Sequence, residues 1–399
     1  MKIKQLDVAG FRSLKSVSWQ PGDLNVVIGQ NGTGKSNLLR ILELFSVFTK
    51  QGRLSKHIRE AGGMGAILWD GIASSIHIRV ETTQPDYEYE LELVRFGQSS
   101  SYRIEREALS SDAVLSQSQP APVNAGLAPI YSSRFTHEHL TRINGQLSYG
   151  KQPIDSDAIS QEETLLSYPA LPSVFTASAL TFRNQLNPIA VYHDLDVGPK
   201  SMVRQAVVAR NEKIVESDGQ NLVPVLHTLY TGDREFKRNV DLAMSAAFGS
   251  VYEELVFPPD AGDQRVQMRV RWRSLKRDQS TADLSDGTLR YLLLIAILSV
   301  PDPPMLIAID EPETGLHPSM LPIIAEYAIE ASSRTQVVFT THSPQFLDAF
   351  TDTRPTTTVA MWENGETSLH TLQGKTLDYW LTEYSLGSLF TSGELEALA

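Results

Sequence analysis

Asp23-Leu24-Asn25-Val26-Val27-Ile28-Gly29-Gln30-Asn31-Gly32-Thr33-Gly34-Lys35-Ser36 joins an apolar strand to a glycine-rich turn that opens a helix. Gly29 to Ser36 fit G-x-x-x-x-G-K-[ST] without deviation, in the strand-then-helix context that the motif requires. Glycines let the backbone curl until successive N–H groups point at one anion. The helix start adds the positive end of its dipole. Lys35 is placed to reach the β- and γ-phosphates of a nucleotide, and Ser36 to set its hydroxyl on Mg²⁺. Gly29, Gln30, Asn31, Gly32, Thr33, Gly34, Lys35, Ser36 and Asn37 are the candidate nucleotide-binding residues. Behind them Leu38, Leu39, Ile41, Leu42, Leu44 and Phe45 give a wide apolar helical face over Thr33 to Phe48.

Downstream, Pro304 to Ile309 is an apolar strand that ends in Asp310-Glu311. Carboxylates at the end of a buried strand are costly without partners, and Mg²⁺ and an attacking water would supply them. Asp310 is the candidate metal residue beside Ser36, and Glu311 the group that polarises the water. Thr341-His342-Ser343 follows another apolar strand, Val337 to Thr340. Strand ends in open α/β sheets face the ligand crevice, so His342 is a candidate for contact with the γ-phosphate or the water. Leu284-Ser285-Asp286-Gly287-Thr288 opens a helix whose N–H groups make a second anion-binding surface, with Ser285 or Asp286 as its cap.

Around these motifs the pattern predicts strands over Lys2 to Val8, Lys15 to Trp19, and two within Ser75 to Phe96 that turn at Gln84-Pro85-Asp86. Ser99 to Pro122 reads as a loop, from its Ser, Gln, Ala and Pro content. Asn221 to Tyr230 and Asp233 to Phe248 read as helices. From Leu284 onward helix (Thr288 to Leu298), strand (Met305 to Ile309), helix (Met320 to Ala331) and strand (Thr335 to Thr340) alternate, which implies a parallel sheet with covering helices. Thr357 to Trp362 and Thr367 to Leu372 frame a hairpin around Asn364-Gly365.

The chain has 399 residues, 35 Lys+Arg, 47 Asp+Glu and no Cys. The absence of Cys excludes a disulfide scaffold, a Cys-ligated metal centre and a thiol nucleophile, and it suits a reducing cytoplasm. The greasiest stretch, Leu289 to Val300, falls short of the about 20 residues a bilayer span needs and contains Arg290. No membrane partner or secretory signal is expected. A net charge of −12 argues against coating nucleic acid by bulk charge. One local exception is Arg265-Val266-Gln267-Met268-Arg269-Val270-Arg271-Trp272-Arg273, which alternates with period two and is followed by Lys276 and Arg277. Such a strand could hold a phosphate backbone, protect a sheet edge or dock an acidic partner.

The order of these motifs resembles the ABC-type ATPases of the SMC, RecF and OLD group. The carriers are the cradle, Leu-Ser-Asp-Gly-Thr, Asp310-Glu311-Pro312-Glu313-Thr314-Gly315-Leu316-His317-Pro318 and Thr341-His342-Ser343-Pro344, with the opening Val8-Ala9-Gly10-Phe11-Arg12-Ser13-Leu14. Within the group, Leu284 to Arg290 is most similar to a bacterial AAA15/AAA21-like set. The resemblance implies a P-loop NTPase of α/β class, with a RecA-like mixed sheet and an antiparallel N-terminal β-subdomain. In its terms residues 1–97 and 283–350 form the ATPase domain, 98–282 a mainly α or mixed lid insertion, and 351–399 a C-terminal extension. It implies ATP and Mg²⁺ as cofactors, Asp310 and Glu311 as the Walker B pair and His342 as the switch histidine. It also implies a head-to-head homodimer, in which Ser285 and Gly287 of one copy face the cradle of the other. Arg12 matches an arginine that some relatives place near the nucleotide. The commoner signature has glycine where this chain has Asp286, whose charge should turn away from a phosphate or cap the helix. No glutamine of the Q-loop kind stands in Gly62 to Trp69.

Three functions follow from the resemblance. One is an ATP switch that controls a separate nuclease or toxin effector, in defence against phage. The second is a RecF-like or SMC-like repair ATPase that binds DNA or RNA directly. The third is a self-contained OLD-type nuclease. The last needs a further domain after His342, where only 399 − 342 = 57 residues follow without a D-x-D. Asp194-Leu195-Asp196 reads as a surface turn instead. The insertion shows no sustained heptads, which argues against long SMC arms.

Overall fold

A computed structural model describes residues 1–83, 85–97, 101–111, 137–149, 152–154, 159–168, 177–258, 265–350, 353–372, 380–381 and 383–398. The chain packs as two compact units. The first comprises Met1–Pro21, Leu44–Pro188 and Glu363–Ser368, and the second Gly22–Glu43, Ile189–Trp362 and Leu369–Ala399. The boundary at 188/189 divides the expected 98–282 insertion between them.

The opening elements are β1 (Lys2–Phe11), β2 (Leu14–Trp19), β3 (Leu24–Ile28), α1 (Lys35–Phe48), α2 (Arg53–Glu60) and α3 (Met64–Ile67). Then come β4 (Ser75–Thr83), β5 (Tyr87–Arg95), β6 (Tyr102–Ser111), β7 (His137–Ile143), β8 (Gln146–Tyr149), β9 (Gln152–Ile154) and α4 (Ala177–Leu186). The first unit is built on an antiparallel sheet in the order β2-β1-β4-β5-β6-β7-β8-β9. Alternation fixes its register: Val8 of β1 stands opposite Val17 on one side and Ile78 on the other, and all three are buried. Phe48, Tyr89 and Phe182 pack ring against ring in its core.

Here one expectation is corrected. The loop read over Ser99 to Pro122 contains β6, which pairs with β5 from Tyr87↔Ser111 to Arg95↔Tyr102. Tyr102, Ile104 and Leu109 are buried, so an apolar set hides within the polar composition. Gln84 of the expected turn, and residues 99–100 and 112–122 of that expected loop, lie outside the described residues.

The second unit adds β10 (Ala190–Tyr192), β11 (Val207–Val208), α5 (Leu222–Gly232), α6 (Arg234–Phe248), β12 (Tyr252–Val256), β13 (Arg265–Val266), β14 (Arg269–Trp272) and β15 (Gln279–Ser280). It continues with α7 (Asp286–Leu298), β16 (Leu306–Asp310), α8 (Leu321–Ser332), β17 (Gln336–Thr341), α9 (Pro344–Asp348), β18 (Thr356–Glu363), β19 (Glu366–Thr371), α10 (Leu386–Ser392) and α11 (Glu394–Leu398). Its main sheet runs β10-β16-β17-β3-β18-β19, with β10, β16, β17, β3 and β18 parallel. The inner strands are apolar because both faces are covered. Val26, Val27, Ile28, Ile309 and Phe339 are fully buried, and α7 is buried along nearly its whole length from Leu289 to Leu298. This register brings the ends of β3, β16, β17 and β10 to one edge, where the cradle, Asp310, Thr341 and His193 emerge.

The basic stretch is not one strand. Arg265-Val266 pairs with β11, whereas Arg269 to Trp272 belongs to a separate sheet, β12-β14-β15. Val266, Met268 and Val270 are buried as the alternation requires. Among the described residues no helix is long and apolar enough to cross a membrane.

Candidate functional site

The cradle turns on glycines that adopt left-handed or extended positive φ: Gly29 (147°), Gly32 (85°) and Gly34 (97°). Gly29 is also sterically required, because a Cβ there would lie 2.3 Å from the carbonyl oxygen of Ala360. The loop is tied by Thr33 Oγ1, which donates to the Gln30 carbonyl at 2.9 Å. Asn37 N closes the first helical turn onto Gly34 O at 2.9 Å. Gln30 and Asn31 are exposed at the tip. Lys35 is buried and folds back over its own loop, with Nζ donating to the carbonyls of Gly29 (2.8 Å) and Gln30 (3.0 Å). Burial lowers its pKa, and the charges of Glu311, Asp310 and Glu313 oppose that shift. This ammonium is therefore held at the cradle by two neutral acceptors, in a position that an anionic phosphate can take over.

Asp310 ends β16. Its carboxylate is pushed up by burial, but hydrogen bonds from His193, Thr340 and Ser36 outweigh this and hold its pKa below the usual value. Thr340 Oγ1 donates to Oδ1, and His193 Nδ1 lies 3.5 Å from Oδ2. Ser36 and Asp310 thus come together, a hydroxyl beside an ionised carboxylate, a pair of hard oxygens of the kind that suits Mg²⁺. Among the described residues no group of three or more His, Cys, Asp or Glu forms a metal cage.

Glu311 adopts φ 46°, a left-handed conformation that is uncommon for a non-glycine residue and turns the chain sharply at the strand end. Its amide donates to the Thr340 carbonyl at 3.1 Å, which anchors the turn to β17. His342 Nδ1 lies 3.1 Å from Glu311 Oε1, and both side chains are substantially exposed. A carboxylate paired with an imidazole at an open strand edge can accept a proton from water.

Sequence reasoning missed His193. It directly follows β10, the strand beside β16, and its ring stands between Asp310 and Glu43, with Nε2 3.6 Å from Glu43 Oε2. Burial opposes its charge, but Asp310 and Glu43 outweigh burial and raise its pKa to about 9. The signal was available, since His193 is the first polar residue after an apolar strand in a sheet whose strand ends carry the site.

Ser285 caps α7, with Oγ accepting from Thr288 N at 3.1 Å. Asp286 does not cap. It turns to Arg204, whose Nη2 donates to its carboxylate. The same guanidinium donates to the carbonyls of Val197 (2.8 Å), Thr281 (3.0 Å), Ala282 (3.2 Å) and Leu284 (2.8 Å). A Cβ on Gly287 would lie 2.8 Å from the carbonyl oxygen of Gly315, so only glycine lets the helix start approach the loop after Glu311. Ser285 is exposed on this surface. Further along α7, Arg290 lies among Asp194, Glu313 and Glu311, and burial lowers its pKa despite those charges.

The remaining candidates are Arg12, the basic residues of 265–277 and the pair Asp194 and Asp196. Arg12 belongs to the first unit, at φ 47° in the turn after β1, with its amide on the Ile67 carbonyl (2.8 Å) and its guanidinium 5.7 Å from the Phe11 ring. Arg271 is bound to Glu254 and to Asp278 (3.0 Å), and Arg269 donates to Gln267 (3.0 Å). The amide of Arg273 donates to the Val251 carbonyl, Arg265 pairs in β13, and Lys276 and Arg277 are exposed. Asp194 and Asp196 are exposed in the segment that follows β10, with Asp196 Oδ1 accepting from Gly198 N.

Residues 24–348 match the family described as "AAA domain, putative AbiEii toxin, Type IV TA system". The chain belongs to this family. Its fold is that of solved SMC head domains. One, an SMC head bound to the C-terminal winged-helix domain of ScpA, aligns with TM-score 0.56 at 11% identity over 95% of this chain and all of that one. Another, an SMC head with an extended coiled coil bound to the C-terminal domain of ScpA, derived from Pyrococcus furiosus, gives TM-score 0.56 at 11% identity over 96% of this chain and 99% of that one. No curated protein sequence gives a significant match. The chain is an ATPase of this AAA family with an SMC-head, P-loop architecture.

Proposed function

We propose that this protein binds ATP with Mg²⁺ at Gly29 to Asn37 and hydrolyses it as a molecular switch for a separate effector. The carrying observation is the convergence of Lys35, Ser36, Asp310, Glu311 and His342 at one strand edge. Backbone N–H groups of the cradle and Lys35 bind the phosphates. Ser36 and Asp310 would hold Mg²⁺, which would supply charge neutralisation for the phosphates. Glu311 accepts a proton from the attacking water, and His342 orients Glu311 and the γ-phosphate side of the site.

The switch is a homodimer of heads, with exposed Ser285 and half-buried Gly287 of one copy completing the cradle of the other. The exposed cap of α7 and the tight Gly287–Gly315 approach support this arrangement. The effector is a nuclease or toxin in bacterial anti-phage defence, a reading favoured by the toxin–antitoxin wording of the family description. Composition without Cys agrees with work in the cytoplasm. A RecF-like direct contact with DNA or RNA has less support, because Arg271 at the centre of the basic stretch is already matched by Glu254 and Asp278. Comparison of wild type with Lys35→Ala tests the nucleotide assignment. Fluorescent ATP should bind the wild type and be lost in the variant, and equal binding by both would reject the cradle.

A further inference from the structure

Glu313 stands two residues beyond Glu311, on a turn closed by Thr314 N onto Glu311 O (3.1 Å) and Leu316 N onto Glu313 O (3.0 Å). Its side chain is only 10% exposed. Oε1 accepts from Thr341 Oγ1 at 2.6 Å and from the backbone N–H of His342 at 3.3 Å, and it lies 4.0 Å from His342 Nδ1. Oε2 is buried and has no hydrogen-bond partner among the described residues. A buried carboxylate oxygen without a donor is unfavourable, so the surrounding fold holds this side chain in place for what Oε1 does. What Oε1 does is join the end of β17, just before His342, to the turn that carries Glu311.

We propose that Glu313 is a positioning residue of the hydrolytic site, a clamp that fixes the His342 backbone and ring against Glu311. The inference rests on the ATPase reading of Glu311 and His342. The Glu311–His342 contact is between two substantially exposed side chains, which would otherwise sample many rotamers. Glu311 is placed by its own turn and by Thr340. Among the described residues the ties that place His342 run through Glu313 and the Thr341 hydroxyl. That hydroxyl in turn accepts from Ser343 N at 3.0 Å, so one carboxylate oxygen organises three consecutive residues, Thr341 to Ser343. Displacing a proton-transfer group by about 1 Å costs on the order of 100-fold in rate.

The test compares Glu313→Ala with Glu313→Gln in the full chain. Glutamine keeps an acceptor at Oε1, so the clamp survives; alanine removes it. Glu313→Ala should lower kcat for ATP at least about tenfold while the Kd for fluorescent ATP changes less than about twofold. Glu313→Gln should stay within about threefold of wild type. Thermal melting of both variants identifies any that fail to fold, and the glutamine variant keeps the comparison meaningful if alanine does. In nucleotide-free protein labelled with ¹⁵N-histidine, the His342 amide proton should shift upfield in Glu313→Ala, which leaves no acceptor, and move distinctly less in Glu313→Gln, which keeps a carbonyl acceptor. Wild-type kcat in Glu313→Ala, an unmoved His342 amide, or a glutamine variant as slow as Glu311→Gln would each overturn the positioning role. Absence of ATP turnover by wild type above the Lys35→Ala background would overturn the ATPase reading instead, and the amide shift would still report on the clamp.

Discussion

Replacing Arg204 with alanine should loosen the segment that leads into α7 far more than removing its ion-pair partner does. The guanidinium side chain is 8% exposed and supplies all the donors described above, one to Asp286 and four to backbone carbonyls. The Asp286 side chain is 69% exposed, so its ion pair is worth at most about 1 kcal/mol. The carbonyls differ. Ala282 is exposed and can find water, but those of Thr281, Leu284 and Val197 accept from Arg204 beside buried side chains. Each such bond contributes about 1 kcal/mol net, and somewhat more from a charged donor. Arg204→Ala should therefore lower the local opening free energy of residues 281–288 by about 2–4 kcal/mol, and Asp286→Asn by less than about 1 kcal/mol. Hydrogen–deuterium exchange reads this through the amides of Thr281, Leu284 and Thr288, which donate to Met268 O, Thr281 O and Ser285 Oγ. At 1.4 kcal/mol per factor of ten, exchange should speed up about 30- to 700-fold in Arg204→Ala and less than about fivefold in Asp286→Asn. Equal effects of the two substitutions would refute the assignment of Arg204 as the brace of this segment.

The His193 ion pairs make a pH prediction. The folded pKa, about 9, lies above the ordinary histidine value, so the stabilisation is full below about pH 6.5 and is lost as pH rises through 9. In metal-free and nucleotide-free protein, urea titrations at pH 6 and pH 9.5 should show wild type losing up to about 3 kcal/mol that His193→Gln does not lose. A parallel decline in both would contradict it. Ser285→Arg places a bulky cation on the exposed cap and should abolish ATP-dependent dimerisation while leaving ATP binding intact, read by light scattering and fluorescent ATP. Gly287→Ala drives a Cβ against the Gly315 carbonyl, where overpacking costs about 1–3 kcal/mol; a lower melting temperature and slower hydrolysis should follow, and unchanged values would show that the Gly315 loop moves aside freely.

Much of the second unit was legible because its chemistry is local. The cradle is one contiguous octapeptide, and Asp310, Thr341 and His342 sit at the ends of unmistakable apolar strands. What the sequence hid depends on distance or on mixed patterns. β6 is obscured because Arg103, Glu105 and Arg106 interrupt Tyr102, Ile104 and Leu109, and because its pairing with β5 slips at Glu92/Leu93. The period-two pattern over 265–273 was real as burial, yet the chain changes sheets between Val266 and Arg269. Asp286 was expected to turn from a phosphate or cap the helix; it does not cap, and its partner Arg204 is 82 residues away, where no spacing rule reaches it. Glu313 was visible within a motif, while its tie to Thr341 and His342 needed the parallel register of β16 and β17.

The head-to-head switch is tested most directly by the mass of Glu311→Gln protein in solution, measured by size-exclusion chromatography with light scattering. Glutamine keeps the shape of Glu311 but cannot take the proton, so ATP binds and persists. With ATP and Mg²⁺ the variant should elute at twice the 44.2 kDa chain mass, and it should return to its nucleotide-free mass when Lys35→Ala is added. A Glu311→Gln protein that hydrolyses ATP at the wild-type rate, or whose mass is the same with and without ATP, would contradict the account.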